Sequence, residues 1–179
     1  MTAMSKSPLA AVVLLSAAAV GGCVSPADQD PRGGASASTA DDDAWGKGDH
    51  EKAMKRLSRA ARDPDAELVD DGYAYGKEGL DRTFRTPGER PYRLDIGCEA
   101  PGTRELTLRL RRGSTTQEWA VACNDRLPDA FNIPAADQPF TATLHTPGSM
   151  TNGLIHWRLS TLGKEDVEDC PDDIEGCDA

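Results

Sequence analysis

Tyr92-Arg93-Leu94-Asp95-Ile96-Gly97-Cys98 alternates large apolar residues with polar or small ones without a break. Successive side chains of an extended strand point to opposite faces, so Tyr92, Leu94, Ile96 and Cys98 share one face. The same period of two returns downstream. Leu106, Leu108 and Leu110 alternate with Thr107, Arg109 and Arg111, and Trp119, Val121 and Cys123 follow. Phe131 and Ile133 come next, then Phe140, Ala142 and Leu144, then Ile155, Trp157 and Leu159. The spacers Ala100-Pro101-Gly102-Thr103, Arg112-Gly113-Ser114-Thr115 and Thr146-Pro147-Gly148-Ser149 have turn chemistry. Short alternating runs parted by such turns predict a mainly β chain, an antiparallel β-sandwich of about seven strands over residues 78–163. Alternation further predicts that each sheet keeps one wet face.

Strand parity bears on the cysteines. Cys98 and Cys123 each end a run on its apolar face, and the run at 104–111 leads back between them. Both thiols then lie at one end of the sandwich, on the inner side, where a bridge needs Cα atoms within about 7 Å. The chain has five cysteines, at 23, 98, 123, 170 and 177. With Cys23 set aside for the reason below, four remain; three pairings are open, and local pattern favours Cys98–Cys123 and Cys170–Cys177.

Upstream, residues 49–77 predict a short helix and a connector. Asp49 suits an N-cap, and Ala53, Met54, Leu57, Ala60 and Ala61 recur at helical spacing until about residue 62, with Pro64 beyond. The helix carries Lys52, Lys55, Arg56, Arg59 and Arg62 against Asp49 and Glu51. Such a helix suits either anionic lipid headgroups or a seat on the domain. Its apolar stripe is narrow and lacks Trp and Phe, which favours the seat.

The N-terminus has the layout of an export signal. A polar start with Lys6 leads into the apolar run at 8–20, which is short for a membrane span and right for a signal-peptide core. Val20-Gly21-Gly22-Cys23 follows at once. This resembles the bacterial lipobox, in which small residues precede a cysteine whose thiol accepts a diacylglycerol. Residues 1–22 are thus expected to be a signal peptide and Cys23 a lipidation site, with the bilayer as a partner through that anchor. Residues 23–48 are rich in Ser, Ala, Gly, Pro and Asp and predict a tether with a root-mean-square reach of roughly 25–30 Å. Lipobox, polar linker and two-cysteine β-domain together resemble small actinomycete lipoproteins. The resemblance implies an exported, lipid-anchored protein on the outer face of the cell membrane, and it brings no activity with it.

Charge narrows the partners. The net charge is −10, yet residues 78–163 hold ten acids and ten bases, whereas 164–179 hold eight acids and one base. Without a net basic surface, nucleic acid is not expected as a partner. The end, Cys170-Pro171-Asp172-Asp173-Ile174-Glu175-Gly176-Cys177, is expected to be a solvated, disulfide-pinned tail whose loss leaves the core untouched. Its carboxylates, flanked by Asp166, Glu168, Asp169 and Asp178, are of the type that binds Ca²⁺, but their order departs from an EF-hand, and no metal is assigned.

Catalytic chemistry finds no pattern here. The chain lacks a Gly-x-Ser-x-Gly elbow, and His50, His145 and His156 lack metal-binding spacing. His156 has outward strand parity and is expected to be solvated beside Arg158. Carboxylates are abundant but in no context that marks a glycosidase pair. Trp45 falls in the tether, Trp119 and Trp157 have inward parity, and the row Thr107, Arg109, Arg111 offers cations diluted by Glu105 and Glu118. No catalytic residue, metal or cofactor is assigned. The expectation is a non-enzymatic binding or accessory protein for a protein or envelope component. A carbohydrate-binding module is the alternative, and an envelope hydrolase ranks below it. Peptide mapping without reductant should recover Cys98 linked to Cys123 and Cys170 linked to Cys177; a link between the tail and either strand cysteine would overturn the pairing.

Overall fold

A computed structural model describes residues 45–46, 48–148, 150, 152–167 and 170–176. The expected signal peptide, the lipidation site Cys23, most of the tether and Cys177 lie outside the described residues. One helix, α1 (Asp49–Ala60), precedes eight strands: β1 (Glu67–Tyr75), β2 (Leu80–Thr86), β3 (Tyr92–Glu99), β4 (Glu105–Arg112), β5 (Thr115–Ala122), β6 (Asp129–Ile133), β7 (Ala136–His145) and β8 (Leu154–Thr161). They form two four-stranded antiparallel sheets, sheet A in the order β1-β8-β3-β6 and sheet B in the order β2-β7-β4-β5. The architecture is the expected mainly β sandwich, with eight strands in place of about seven.

The additional strand is β1, inside the segment 49–77 where a helix and connector were expected. Its alternation is broken for physical reasons. Adjacent Asp70 and Asp71 followed by Gly72 are poor strand formers, and the register against β8 shifts between Leu68 and Asp70. At a sheet edge such a bulge is tolerated and hinders pairing with other chains. The helix boundaries also differ slightly: Gly48, at φ 87°, is the N-cap, and Asp49 opens the helix.

Inward-facing residues meet between the sheets as the period of two predicts. Leu94, Ile96, Leu108, Leu110, Ile133, Phe140 and Leu144 are fully buried, and Phe84 stacks on Phe140 with ring centroids 5.2 Å apart. The Cys98–Cys123 disulfide is present, with Cα atoms 4.5 Å apart. It joins the end of β3 in sheet A to the residue after β5 in sheet B. Asn124, next in the chain, holds a left-handed φ of 68°. Its side chain accepts from the Ala100 amide at 3.0 Å and donates to the carbonyls of Ala100 and Thr103 at 3.0 and 2.9 Å, knitting the β3–β4 turn to the bridge.

Two expectations need correction. Sheet A has no fully wet face, because α1 lies on its outer side. Ala53 and Leu57 are buried with Leu154, and Trp45 and Tyr73 pack around them. A Cβ at Gly97 would meet Leu57 Cδ2 at 2.8 Å, so the glycine on β3 makes room for this side chain. The end of the chain is likewise not a detached tail. Ile174 is 1% exposed and belongs to the main core. The Trp119 indole N–H donates to the Asp173 carbonyl at 2.7 Å. The Asn132 amide donates to Asp173 Oδ2 at 2.6 Å, and the Asp173 amide donates back to the Asn132 carbonyl at 2.9 Å. Residues 170–176 therefore bridge the edge strands β5 and β6. Composition concealed this, because a single apolar side chain does the packing and backbone groups do most of the bonding. Cys170 is disulfide-bonded.

Stability should follow these contacts. Ile174→Ala should cost about 2–5 kcal/mol, as for other buried aliphatic truncations, read as a lowered urea midpoint with unchanged slope. Cys98→Ala with Cys123→Ala opens a loop with a sequence separation of 25, for which chain entropy gives about 3.5 kcal/mol. An Ile174→Ala midpoint equal to wild type would mean that the end of the chain is not part of the core.

Candidate functional site

Three places gather chemistry-bearing side chains among the described residues: the layer between α1 and sheet A, the cleft beside the β4–β5 turn, and the outer face of sheet B.

The first layer is built by register. Tyr73 lies opposite His156, and Asp71 opposite Arg158, in the β1–β8 ladder. Asp95 pairs with Arg158, and Gly97 with His156, in the β3–β8 ladder. These residues face away from the sandwich core, as parity predicts, but α1 covers His156. It is 1% exposed, and neither ring nitrogen has a hydrogen-bond partner. Its ring centroid lies 4.8 Å from that of Tyr73, and the Tyr73 hydroxyl donates to the Met54 carbonyl of α1 at 2.9 Å. The expected solvated histidine is thus buried; its parity and the helix were legible, while the face on which the helix sits was not. Burial pushes its pKa down to about 4, against the weaker pull of Asp71.

His156 is poorly placed for acid–base or nucleophilic work. Ser160 stands four residues along the same strand, roughly 13 Å away at about 3.3 Å per residue, far outside hydrogen-bond reach. Two acids on this side of sheet A, Asp95 and Asp63, are held in ion pairs. Arg93 reaches Asp95 at 3.1 Å and Asp63 at 3.2 Å. Burial raises the pKa of Asp95, with Arg93 opposing. Burial works against the Arg93 cation too, but Asp95 and Asp63 outweigh it and its pKa is raised. A cleft of about 310 Å³ opens here, lined by Asp63, Asp65, Arg93, Thr161, Glu165 and Asp166. Of its lining acids Asp63 pairs with Arg93, which on its other side holds Asp95, so this guanidinium neutralises Asp63 and Asp95 as a strut.

The second place, about 390 Å³, is lined by Arg112, Ser114, Thr115, Gln138, Asp172 and Glu175. Arg112 donates to Thr86 Oγ1 at 3.1 Å and to the Pro134 carbonyl at 3.0 Å. Burial lowers its pKa, with Asp172 and Glu175 opposing. Asp172 Oδ1 accepts the amides of Ile174 and Glu175 at 2.8 and 3.1 Å. Two of the acids considered for calcium thus serve the backbone, Asp172 that of its own turn and Asp173 that of β6. Among the described residues no group of three or more His, Cys, Asp or Glu is placed to hold a metal ion.

The third place is the open outer face of sheet B. Cross-strand rows put Asp81, Thr143, Arg109 and Glu118 side by side, then Thr83, Thr141, Arg111 and Thr116, then His145, Thr107 and Ala120. Arg109 gives two bonds to Glu118 Oε1, at 2.9 and 2.6 Å, and the Thr83 and Thr141 hydroxyls lie 3.2 Å apart. These rows contain no Trp, Tyr or Phe. The row Thr107, Arg109, Arg111 is exposed as its parity predicts. Trp157 is buried and Trp119 is half-buried against the core, both on the inward side. Trp45 lies tilted against His50, ring centroids 4.3 Å apart, and packs on the cluster beneath α1. Sequence reasoning passed over Arg82, which sits at the β1–β2 margin. Its inward parity as a lone cation was the available clue.

Neither a protein-family model nor a curated protein sequence matches the chain.

The buried imidazole has a pH signature. In the unfolded chain His156 titrates near 6.5, and in the fold near 4. The unfolded state therefore binds more protons between those values, so stability falls as pH drops through this window and is fully present above it. The loss by pH 4 is about 3 kcal/mol. The raised acids Asp95, Asp129 and Asp173 act in the opposite sense, so the test is a difference. Urea midpoints of His156→Phe should decline less between pH 6.5 and 4 than those of wild type. Parallel declines would show that His156 is not buried in its neutral form.

Proposed function

We propose that this chain is a lipid-anchored protein of the extracytoplasmic membrane face that binds a protein or envelope component and catalyses no reaction. The observation that carries the binding reading is the outer face of sheet B. It is a flat array of threonines with Arg111 unpaired among the described residues, flanked by the Arg109–Glu118 pair. Short hydroxyls on adjacent strands offer many donors and acceptors at little cost in side-chain entropy, which suits recognition of another polar surface. A sugar-stacking platform would present aromatic rings outward, and these rows present none. The inter-sheet disulfide supports an oxidising compartment, and Val20-Gly21-Gly22-Cys23 supports the anchor. No helix among the described residues is long and apolar enough to cross a membrane.

Two measurements test this. Radiolabelled palmitate should enter the wild-type protein in an actinomycete host and not the Cys23→Ala variant; an unlabelled wild-type chain would overturn the anchor. A photo-crosslinking residue in place of Thr141 should yield one discrete adduct in intact cells, whereas the same residue at exposed Glu89, in the β2–β3 turn, should not. Equal adduct patterns at both sites would remove the reason for assigning recognition to sheet B.

A further inference from the structure

We infer that the solvent-facing stripe of α1 is a docking surface for an anionic phospholipid bilayer, which lays the domain against the membrane that anchors it. The inference rests on the lipid-anchor reading and adds an orientation to it.

The stripe follows from helical geometry. At about 100° per residue, Lys52, Lys55, Arg56 and Arg59 fall within roughly 100° of arc. The buried Ala53 and Leu57 lie on the opposite side. Because α1 spends its narrow apolar stripe on sheet A, packing itself turns the cations outward. Residues 49–62 hold five cations and two acids in a chain of net charge −10. Lys52 pairs with Asp49, Lys55 with Glu51 and Arg56 with Glu99. The first two are exposed pairs of the kind that bind weakly and release their cations readily. The Lys52 and Lys55 side chains remain 79% and 69% exposed. Arg59 and Arg62 enter no ion pair among the described residues.

Charge complementarity selects the occupant. Each cation near an anionic bilayer strengthens association about fivefold. Residues 78–163 are balanced and the acidity lies in 63–77 and 164–179, so the same field repels those segments and favours the orientation with α1 down. Position matters as well. α1 is the first element after the segment that begins at Cys23, and the composition of that segment predicts a reach of roughly 25–30 Å. A domain held that close meets the surface at an effective concentration in the millimolar range, so even a weak docking face is occupied. At physiological salt the field decays over about 8 Å, and the stripe therefore acts only in contact.

The test uses the full lipidated protein reconstituted in vesicles and footprinted with a water-soluble amine reagent, read peptide by peptide. Labelling of Lys52 and Lys55 should be about fivefold or more slower in phosphatidylglycerol-containing vesicles than in phosphatidylcholine vesicles. One molar salt should erase the difference. Arg59→Glu with Arg62→Glu should abolish the protection, although neither labelled lysine is altered. Arg85→Glu with Arg111→Glu changes the net charge equally and should leave the protection intact. Equal labelling in both lipids, or equal loss with both charge-swapped variants, would overturn the docking surface. Intact mass of the Cys23 peptide reports the acyl group separately. If it is missing, the anchor reading fails, and the same footprint with vesicles in excess still decides the helix.

Discussion

The contact of Leu57 with Gly97 sets much of this molecule. A Cβ on β3 at that point would stand 2.8 Å from Leu57 Cδ2, so a larger residue there would have to displace that methyl from its seat. With the helix seated, the outer side of sheet A becomes an interior. β8 is then buried on both faces, from Leu154 to Thr161, with only Arg158 half-exposed. His156 becomes neutral, Tyr73 finds the Met54 carbonyl, and the cations of α1 are left on the outside. The seat of α1 on sheet A, built from Ala53, Leu57 and Leu154 and fitted over Gly97, thus goes with both the burial of a histidine and the outward direction of a charged face.

A two-sheet sandwich must also deal with its edges, and this one treats its two margins differently. At the β1–β2 margin, Arg82 of sheet B reaches Asp70 of sheet A with bonds of 2.7–3.1 Å and lies 5.0 Å from the Trp157 ring centroid. A guanidinium can close such a seam because its flat face covers an aromatic ring while its edge satisfies a carboxylate. At the β5–β6 margin the chain itself closes the gap, with Asp173 bonding β6 and Ile174 filling the space between. The disulfide crosses the sandwich where β3 and β5 end. Each closure uses a different interaction, and none needs a large hydrophobic surface, which fits a chain with 5% aromatic residues.

Strands β3 to β8 were legible because their alternation is regular and several of their turns are rich in Gly and Pro. The Cys98–Cys123 bridge followed from parity, since both thiols had to share a face and an end. β1 escaped notice because an edge strand can carry two adjacent acids and a bulge without losing its ladder. The burial of His156 was hidden for another reason: periodicity states which side of a sheet a residue takes and is silent on what covers that side. The docking of Ile174 was hidden because one apolar residue among acids has no period. The sites divide along the same line. Thr107, Arg109 and Arg111 could be placed by pattern, whereas Arg82, Arg112 and Asn124 act through backbone or aromatic partners far away in sequence, which no local window contains.

The strand order has a consequence in time. β1 pairs only with β8 in sheet A, and Gly72 faces Trp157 across a separation of 85 residues, from 72 to 157. β2 waits for β7 in the same way, with Phe84 opposite Phe140. A chain delivered N-terminus first, from a ribosome or through a pore, therefore presents β1 long before its partner exists. Among the described strand pairs only the hairpin of β4 and β5 can close promptly; the other pairs depend on long-range closure, which is slow. Such a topology keeps most of the polypeptide extended until almost all of it has arrived, which is the state that a narrow passage requires.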